Sequence, residues 1–441
     1  MALPHVSGAA SEAGWPPPPR PDWVAAINAG AVPLLAAEAE LPFERDALLG
    51  EALAAQGLDA RDAAAFGAPG FDAEPALEGL ARAATAIEEE ARLHVLGRVL
   101  ARRFLLRLLV GRLQLMRFVR DDPGVRDEEL ASPLVVAGAP RTGTTALYAM
   151  LAADPAHRAP LGWELLHPVP PPPADASLRA ADPRIAIADR ELTAPQTVVS
   201  GLRAIHAYGA RRPKECLSAM SFSLLSEEIT ARFFVPSYAA WLEACDPAPA
   251  YDVHRLVLQV LQRRSGPAAW VLKSPVHLHA LPALLRAHPG ARVVVTHRDP
   301  VAMLASLASL IATLRYAHSD EVDLARVAAE HARRFGASLA RLVAWDDAGA
   351  LPATRVRHVR HAELARRGVG VVEDVYAWAG RPLSDAVRAE MAAVAARGGD
   401  EGAGGHAYSI AATGLDAAAL RRDLAAYRAR FEVPDEAVGT A

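Results

Sequence analysis

Eight residues, Gly138-Ala-Pro-Arg-Thr-Gly-Thr-Thr145, have the frame of a phosphate-binding loop, G-x-x-x-x-G-K-[ST], with Thr144 standing where the lysine belongs. Glycines let the backbone approach an anion closely. A helix starting behind them adds unpaired N–H groups and a positive dipole end. The cation lost at position 144 has one local replacement, Arg141 inside the loop. Two more cations follow a common grammar. Lys273-Ser-Pro275 and His297-Arg-Asp-Pro300 each place a basic residue after an apolar run, then a capping residue, then Pro at the first helical position. Ser274 and Asp299 are therefore expected as helix caps. Of 47 basic residues only Lys214 and Lys273 are lysines, which makes a lysine at such a position conspicuous.

These residues meet only if the elements carrying them do. Residues 133–138 form a short continuous apolar run, as a parallel strand buried on both faces requires. Residues 270–273 and 292–297 repeat the pattern, and 356–359 is a weaker fourth. Helical segments such as 223–244 and 300–314 lie between them. Strands separated by helices predict a parallel α/β sheet. Ligands bind such sheets beyond the carboxyl ends of the strands, where Arg141, Lys273 and Arg298 would gather. Three converging cations call for an anionic ligand, most simply a nucleotide.

Upstream, residues 23–121 read as helical, with breaks at Gly67, Gly70 and Pro75. Leu105, Leu109, Leu113 and Met116 mark the apolar face of one helix over 85–119, whose arginine-rich opposite face is expected in solvent. The first 22 or so residues are Pro-rich and expected to be loose. Residues 124–132 read as a linker, 168–173 as a rigid extended connector, 398–405 as a flexible loop and 415–431 as a last helix. The division expected is a helical extension over 1–130 and an α/β catalytic domain over 131–441.

Composition excludes several classes. With 441 residues, 52% hydrophobic, 22% charged and a net charge of −4, the chain is neither disordered, collagenous nor a coiled-coil array, and it presents no overall field that favours nucleic acid. Two cysteines make no disulfide framework and no four-ligand zinc site. The N-terminal stretch lacks the plan of a signal peptide, and no run reaches about 18 uncharged residues. The expectation is a cytoplasmic protein without stable membrane insertion or a nucleic-acid partner. A homo-oligomer stays open.

The chain resembles the sulfotransferases that use 3′-phosphoadenosine 5′-phosphosulfate (PAPS), specifically their bacterial branch. Pro140-Arg-Thr-Gly-Thr-Thr145 is similar to that family's 5′-phosphosulfate loop. Val295-Thr-His-Arg-Asp-Pro300, with Ser306 eight residues after Arg298, is similar to its 3′-phosphate motif. Trp270-Val-Leu-Lys-Ser-Pro-Val-His-Leu278, Gly162-Trp-Glu-Leu-Leu-His-Pro168 and Gly405-His-Ala-Tyr-Ser409 with Gly414-Leu415 also read like this branch, so the resemblance spans about 131–431. It implies a P-loop-like three-layer fold, a central parallel sheet flanked by helices. It further implies PAPS as donor, adenosine 3′,5′-bisphosphate as product, a small-molecule hydroxyl acceptor and no metal.

The same resemblance implies roles for single residues. Pro140, Arg141, Thr142, Gly143, Thr144 and Thr145 would hold the 5′ side of the donor, and Arg298 and Ser306 its 3′-phosphate; His406, in a segment that departs from the family pattern, is a further candidate for that phosphate. Lys273 would meet the transferring sulfonate. Glu164 is the expected general base, with His277 as the alternative. His206, Glu215 and His279 are read as structural. The cytosolic enzymes' Arg-Lys-Gly loop near the C-terminus is replaced here by Gly404-Gly-His-Ala-Tyr408. Two other classes remain beside this one: an ATP-using P-loop enzyme, and a non-catalytic nucleotide-binding module.

Overall fold

The computed structural model describes residues 15–205, 208–402 and 410–436. Five strands, β1 (Leu134–Gly138), β2 (His157–Arg158), β3 (Ala269–Lys273), β4 (Arg292–His297) and β5 (Val356–Arg360), form one sheet in the order β2-β3-β1-β4-β5. All pairings are parallel. The expected strands are present. β2, an edge strand of two residues, is too short to leave a hydrophobic pattern.

Alternation along the strands sorts the core into two layers. Val135, Ala137, Leu272, Val293 and Val295 face a large cluster that includes Leu105, Leu109, Leu113 and Met116. Leu134, Val136, Val271 and Val294 face a second, with Leu147, Leu151, Val375 and Tyr376. Each buried aliphatic side chain contributes about 1.5–3 kcal/mol, so neither face could stay uncovered. The result is a three-layer α/β architecture with further helices at its N-terminal end.

Those further helices differ from expectation in ways that matter. The helix read over 85–119 is two, Glu74–Glu90 and Val95–Asp121. His94 caps the second, its Nδ1 accepting from Gly97 N–H at 2.9 Å. Pro75 lies in the first turn of the earlier helix, where a missing N–H costs nothing, and so opens it rather than breaking it. The arginine face is not wholly solvated. Arg112 is buried and donates to the carbonyls of Phe66, Phe222 and Asp72, and burial pushes its pKa down to about 10.

Residues 15–21 are anchored rather than loose. The Trp15 ring meets Tyr316 edge-on, and Arg20 stacks over the same ring at 3.5 Å while bonding Ser319 O. The large cluster runs from Val24 and Leu48 to Val295 and Leu342, crossing the boundary expected at residue 130 without a gap.

Three smaller readings are also corrected. The segment 223–244 splits into Glu227–Arg232 and Pro236–Ala244, the second opened by its proline. The last helix splits into Ala417–Asp423 and Ala425–Arg430. The helix Asp385–Gly402 continues through the first part of the segment read as a flexible loop.

Candidate active site

At the centre of the sheet, β1 runs into residues 139–143 and then the helix Thr144–Ala152. Its neighbour β4 runs into the helix Pro300–Tyr316. The first helix packs Leu147 and Leu151 into one layer, and the second packs Val301 and Leu304 into the other. Two adjacent strands whose continuations leave to opposite faces open a crevice between them, the place where parallel sheets take ligands.

Backbone geometry explains the loop's composition. Gly138 (φ 132°) and Gly143 (φ 90°) occupy conformations that glycine adopts without strain. A Cβ on Gly138 would collide with the Thr296 hydroxyl. Arg141 takes φ 67° without being glycine, an uncommon and costly conformation of the kind that clusters at functional sites. Thr142 is buried. Its hydroxyl donates to Ala139 O at 2.6 Å and lies 2.6 Å from Thr296 Oγ1, which makes it a brace inside the loop. Thr144 is buried as well, whereas Thr145 is exposed at the helix start.

The three cations do converge. Arg141 Nε donates to Ser306 Oγ at 3.0 Å, and Arg298 Nη1 donates to Arg141 O at 2.8 Å. Lys273 Nζ, at the end of β3, lies 3.4 Å from Thr145 Oγ1 and 2.5 Å from Glu215 Oε1. The Arg298 guanidinium is gripped by Glu436, with Nε 3.0 Å from both carboxylate oxygens and Nη2 2.8 Å from Oε2. Asp299 caps its helix as expected, accepting from Val301 N–H, and its Oδ2 also accepts from Arg421 at 2.6 Å and from Glu436 N–H at 2.8 Å. Ser274 takes the N-cap position of the short helix Pro275–His279, but its buried hydroxyl makes no hydrogen bond among the described residues.

Both expected bases are engaged elsewhere. Glu164 is 2% exposed; Oε1 accepts from Arg158 at 3.1 Å, and Oε2 accepts from Leu161 N–H at 3.0 Å, closing the start of the helix Gly162–Leu166. His277 is fully buried, stacked on Tyr251 with Nδ1 3.1 Å from its hydroxyl, and burial pushes its pKa down to about 3. So weak a base accepts little proton density near neutrality. His279 is structural as read, 2.6 Å from Ser338 Oγ and 3.2 Å from Glu227. His206 and His406 lie outside the described residues.

Sequence reasoning set Glu215 aside, yet it touches Lys273. The signal was slight: a carboxylate beside Cys216, in a segment whose attachment to β3 is tertiary. Glu436 left no signal at all, being 138 residues from Arg298.

A cavity of about 710 Å³ near Arg92, Phe234, Arg315 and Arg326 is not part of this site. Arg315 lies about 14 Å along its helix from Ser306 at 1.5 Å per residue. Among the described residues no group of three or more His, Cys, Asp or Glu could hold a metal ion. No helix among them is long and apolar enough to cross a membrane.

A parallel sheet covered on both faces, with a glycine-bounded strand-to-helix loop at its central crevice, defines an α/β protein of the P-loop-like class. Within that class, the chain belongs to the sulfotransferase family, whose model matches residues 133–385. It is similar to the solved structure of sulfotransferase STF1 from Mycobacterium tuberculosis H37Rv, at 31% identity over 86% of this chain and 98% of that one, TM-score 0.71. It is also similar to sulfotransferase STF9 from Mycobacterium avium, at 26% identity over 90% of this chain and 98% of that one, TM-score 0.77. Residues 131–441 make up less than three quarters of the sequence. The likeness therefore takes in part of the N-terminal helices, beyond the stretch the motifs covered. No curated protein matches the chain.

Proposed function

We propose that the protein moves a sulfuryl group from PAPS to a hydroxyl of a small-molecule acceptor by in-line displacement. The observation that carries this reading is that cations from two other strand ends meet the two ends of one loop, Arg298 and Ser306 at Arg141, and Lys273 at Thr145. A donor with phosphates at both ends of its ribose needs a cation at both ends.

Sulfuryl transfer, like phosphoryl transfer, passes through a loose, charge-spread transition state, so catalysis rests on positioning and on meeting charge where it grows. Backbone N–H groups at the start of the helix Thr144–Ala152, with Arg141, suit the negative charge that builds on the departing 5′-phosphate. Lys273 suits the sulfonate in flight. Arg298 and Ser306 suit the 3′-phosphate. Thr142 and Gly138 shape the loop, and Glu164 fixes the turn carrying Trp163. The free thiols of Cys216 and Cys245 fit the cytoplasmic placement read from the sequence.

The test is a ligand ladder. Adenosine 3′,5′-bisphosphate should raise the melting temperature well above AMP or ATP, corresponding to about 2.7 kcal/mol at 100-fold over Kd. Arg298→Ala should erase the difference between bisphosphate and AMP. Equal shifts in the unaltered protein would sink the 3′-phosphate assignment, and a shift largest with ATP would favour a phosphotransferase.

A further inference from the structure

We propose that the acceptor is itself an anion, its carboxylate or other compact oxyanion held by Lys214, Arg107 and Arg232 beside the point of transfer. The inference rests on the sulfuryl-transfer reading and names the acceptor class, which that reading leaves open.

Lys214 lies next to the donor crevice. The residue after it, Glu215, meets Lys273 Nζ at 2.5 Å, and Cys216 N–H donates to Lys273 O at 2.9 Å. Lys214 N–H donates to Pro160 O at 2.9 Å, and its carbonyl accepts at 3.3 Å from the hydroxyl of Tyr148, on the helix behind the loop. Backbone contacts on both sides thus hold this lysine in place. Its ammonium lies 5.3 Å from the centre of the Tyr208 ring and has no hydrogen-bonded or ion-paired partner among the described residues.

Two guanidinium groups join it from other helices. Arg107, on Val95–Asp121, and Arg232, on Glu227–Arg232, both lie over the Phe104 ring, 5.4 and 4.7 Å from its centre. Arg107 Nη1 and Arg232 Nε are buried without a hydrogen-bond partner among the described residues. The carboxylate within the cluster is Glu228, which accepts from Arg232 Nη2 at 2.9 Å and from Ser221 Oγ at 2.8 Å. Burial raises its pKa, but the charges of Arg232, Lys214 and Arg107 prevail and hold it at about 2.

One carboxylate therefore faces three cations. Glu191 also acts on Arg107 and Glu215 on Lys214, yet each is bonded to a partner of its own, His167 at 2.8 Å and Lys273. Burying charge without a matching partner is costly, so cations kept together in this way call for an anion from outside. Lys214 and Arg107 are each only half-buried, which leaves part of both side chains reachable. A neutral acceptor would leave these charges unmatched, and a cationic one would be repelled.

The experiment gives the full chain PAPS and three phenols of one carbon skeleton, 4-hydroxyphenylacetate, 4-hydroxyphenylacetamide and tyramine. The carboxylate should exceed the amide in kcat/KM by about tenfold or more, as one charge-assisted contact supplies, and tyramine should be poorest. Lys214→Gln and Arg107→Gln should each shrink that preference by about threefold or more, while Lys214→Arg, which keeps the charge, should retain most of it. Affinity for adenosine 3′,5′-bisphosphate should stay within about twofold in all three variants. A second measurement needs no variant: phenylacetate, which lacks the hydroxyl, should compete with 4-hydroxyphenylacetate in the unaltered enzyme, and phenylacetamide should not. Equal rates for carboxylate and amide, no turnover of the carboxylate, or a preference unmoved by both glutamine substitutions would overturn the proposal. The donor reading fails separately, if the unaltered protein binds the bisphosphate no better than AMP.

Discussion

Arg141 carries a strained backbone and a cation into the same crevice, and its substitution separates two kinds of binding. Arg141→Ala should lower kcat by more than it raises the KM for donor, because the charge it meets grows in the transition state. Arg141→Lys should recover part of that loss. Steady-state kinetics with varied PAPS measures both, and a change in KM alone would make the residue a ground-state ligand. Glu164 makes the opposite case. Glu164→Gln leaves Arg158 inside without its carboxylate, which costs about 3 kcal/mol of stability, while the folded enzyme keeps most of its turnover. Urea unfolding and kcat, measured on one preparation, check the two halves. At this scale the loop and its cations were legible because a phosphate-loop frame is local: eight consecutive residues state it. The surroundings of the two expected bases were not. Glu164 is bonded to Arg158 across a short turn, and His277 to Tyr251 on a helix 26 residues away. Neither contact leaves a mark in composition or spacing.

Helix packing reverses the usual rule for glycine. Ala in place of a helix-interior Gly normally gains about 0.5–1 kcal/mol. In the helix Val95–Asp121, however, a Cβ on Gly97 would collide with His318 O, and one on Gly111 with the Phe222 ring. Gly336, in the helix Leu324–Asp347, has nothing within 4 Å of that position. Gly97→Ala and Gly111→Ala should therefore lower the midpoint of urea unfolding, and Gly336→Ala should raise it. Three shifts of the same sign would contradict the packing described. Strands were legible as elements because burial on both faces writes a continuous apolar run. β2 was not, since two edge residues borrow their order from β3. Helix breaks at 91–94 and 233–235 escaped notice for a related reason: apolar periodicity persists across a kink when both helices face one core.

The whole molecule holds an unusual store of neutral histidine. Burial pushes His277 and His318 down to about 3 and His288 to about 4, and it holds His254 and His297 well below their ordinary value. In the unfolded chain each takes up a proton near pH 6.5. Stability is thus whole above that pH and is lost as pH falls from about 6.5 toward 4, by about 1.4 kcal/mol per pH unit for each histidine concerned. Melting temperature across pH 7 to 4.5 tests this, and a level profile would contradict it. The change of pattern after the linker at 124–132 suggested a division at residue 130, but a core continuous from Val24 to Leu342 implies one cooperative unfolding event, visible as a single calorimetric peak.

Glu436 meets Arg298 from 138 residues further along the chain, and that contact has a thermodynamic consequence. A phosphate reaching for Arg298 enters a competition, because the guanidinium already holds a carboxylate. The apparent Kd of such a ligand is its intrinsic value divided by the fraction of molecules in which the pair has parted. Were the pair closed in about nine molecules of ten, the handicap would be about tenfold, or 1.4 kcal/mol. A ligand without a 3′-phosphate does not enter the contest. Glu436→Gln should therefore tighten adenosine 3′,5′-bisphosphate and leave AMP where it was, a selectivity that titration calorimetry reads directly and that rising salt should narrow, as the ions screen the incumbent.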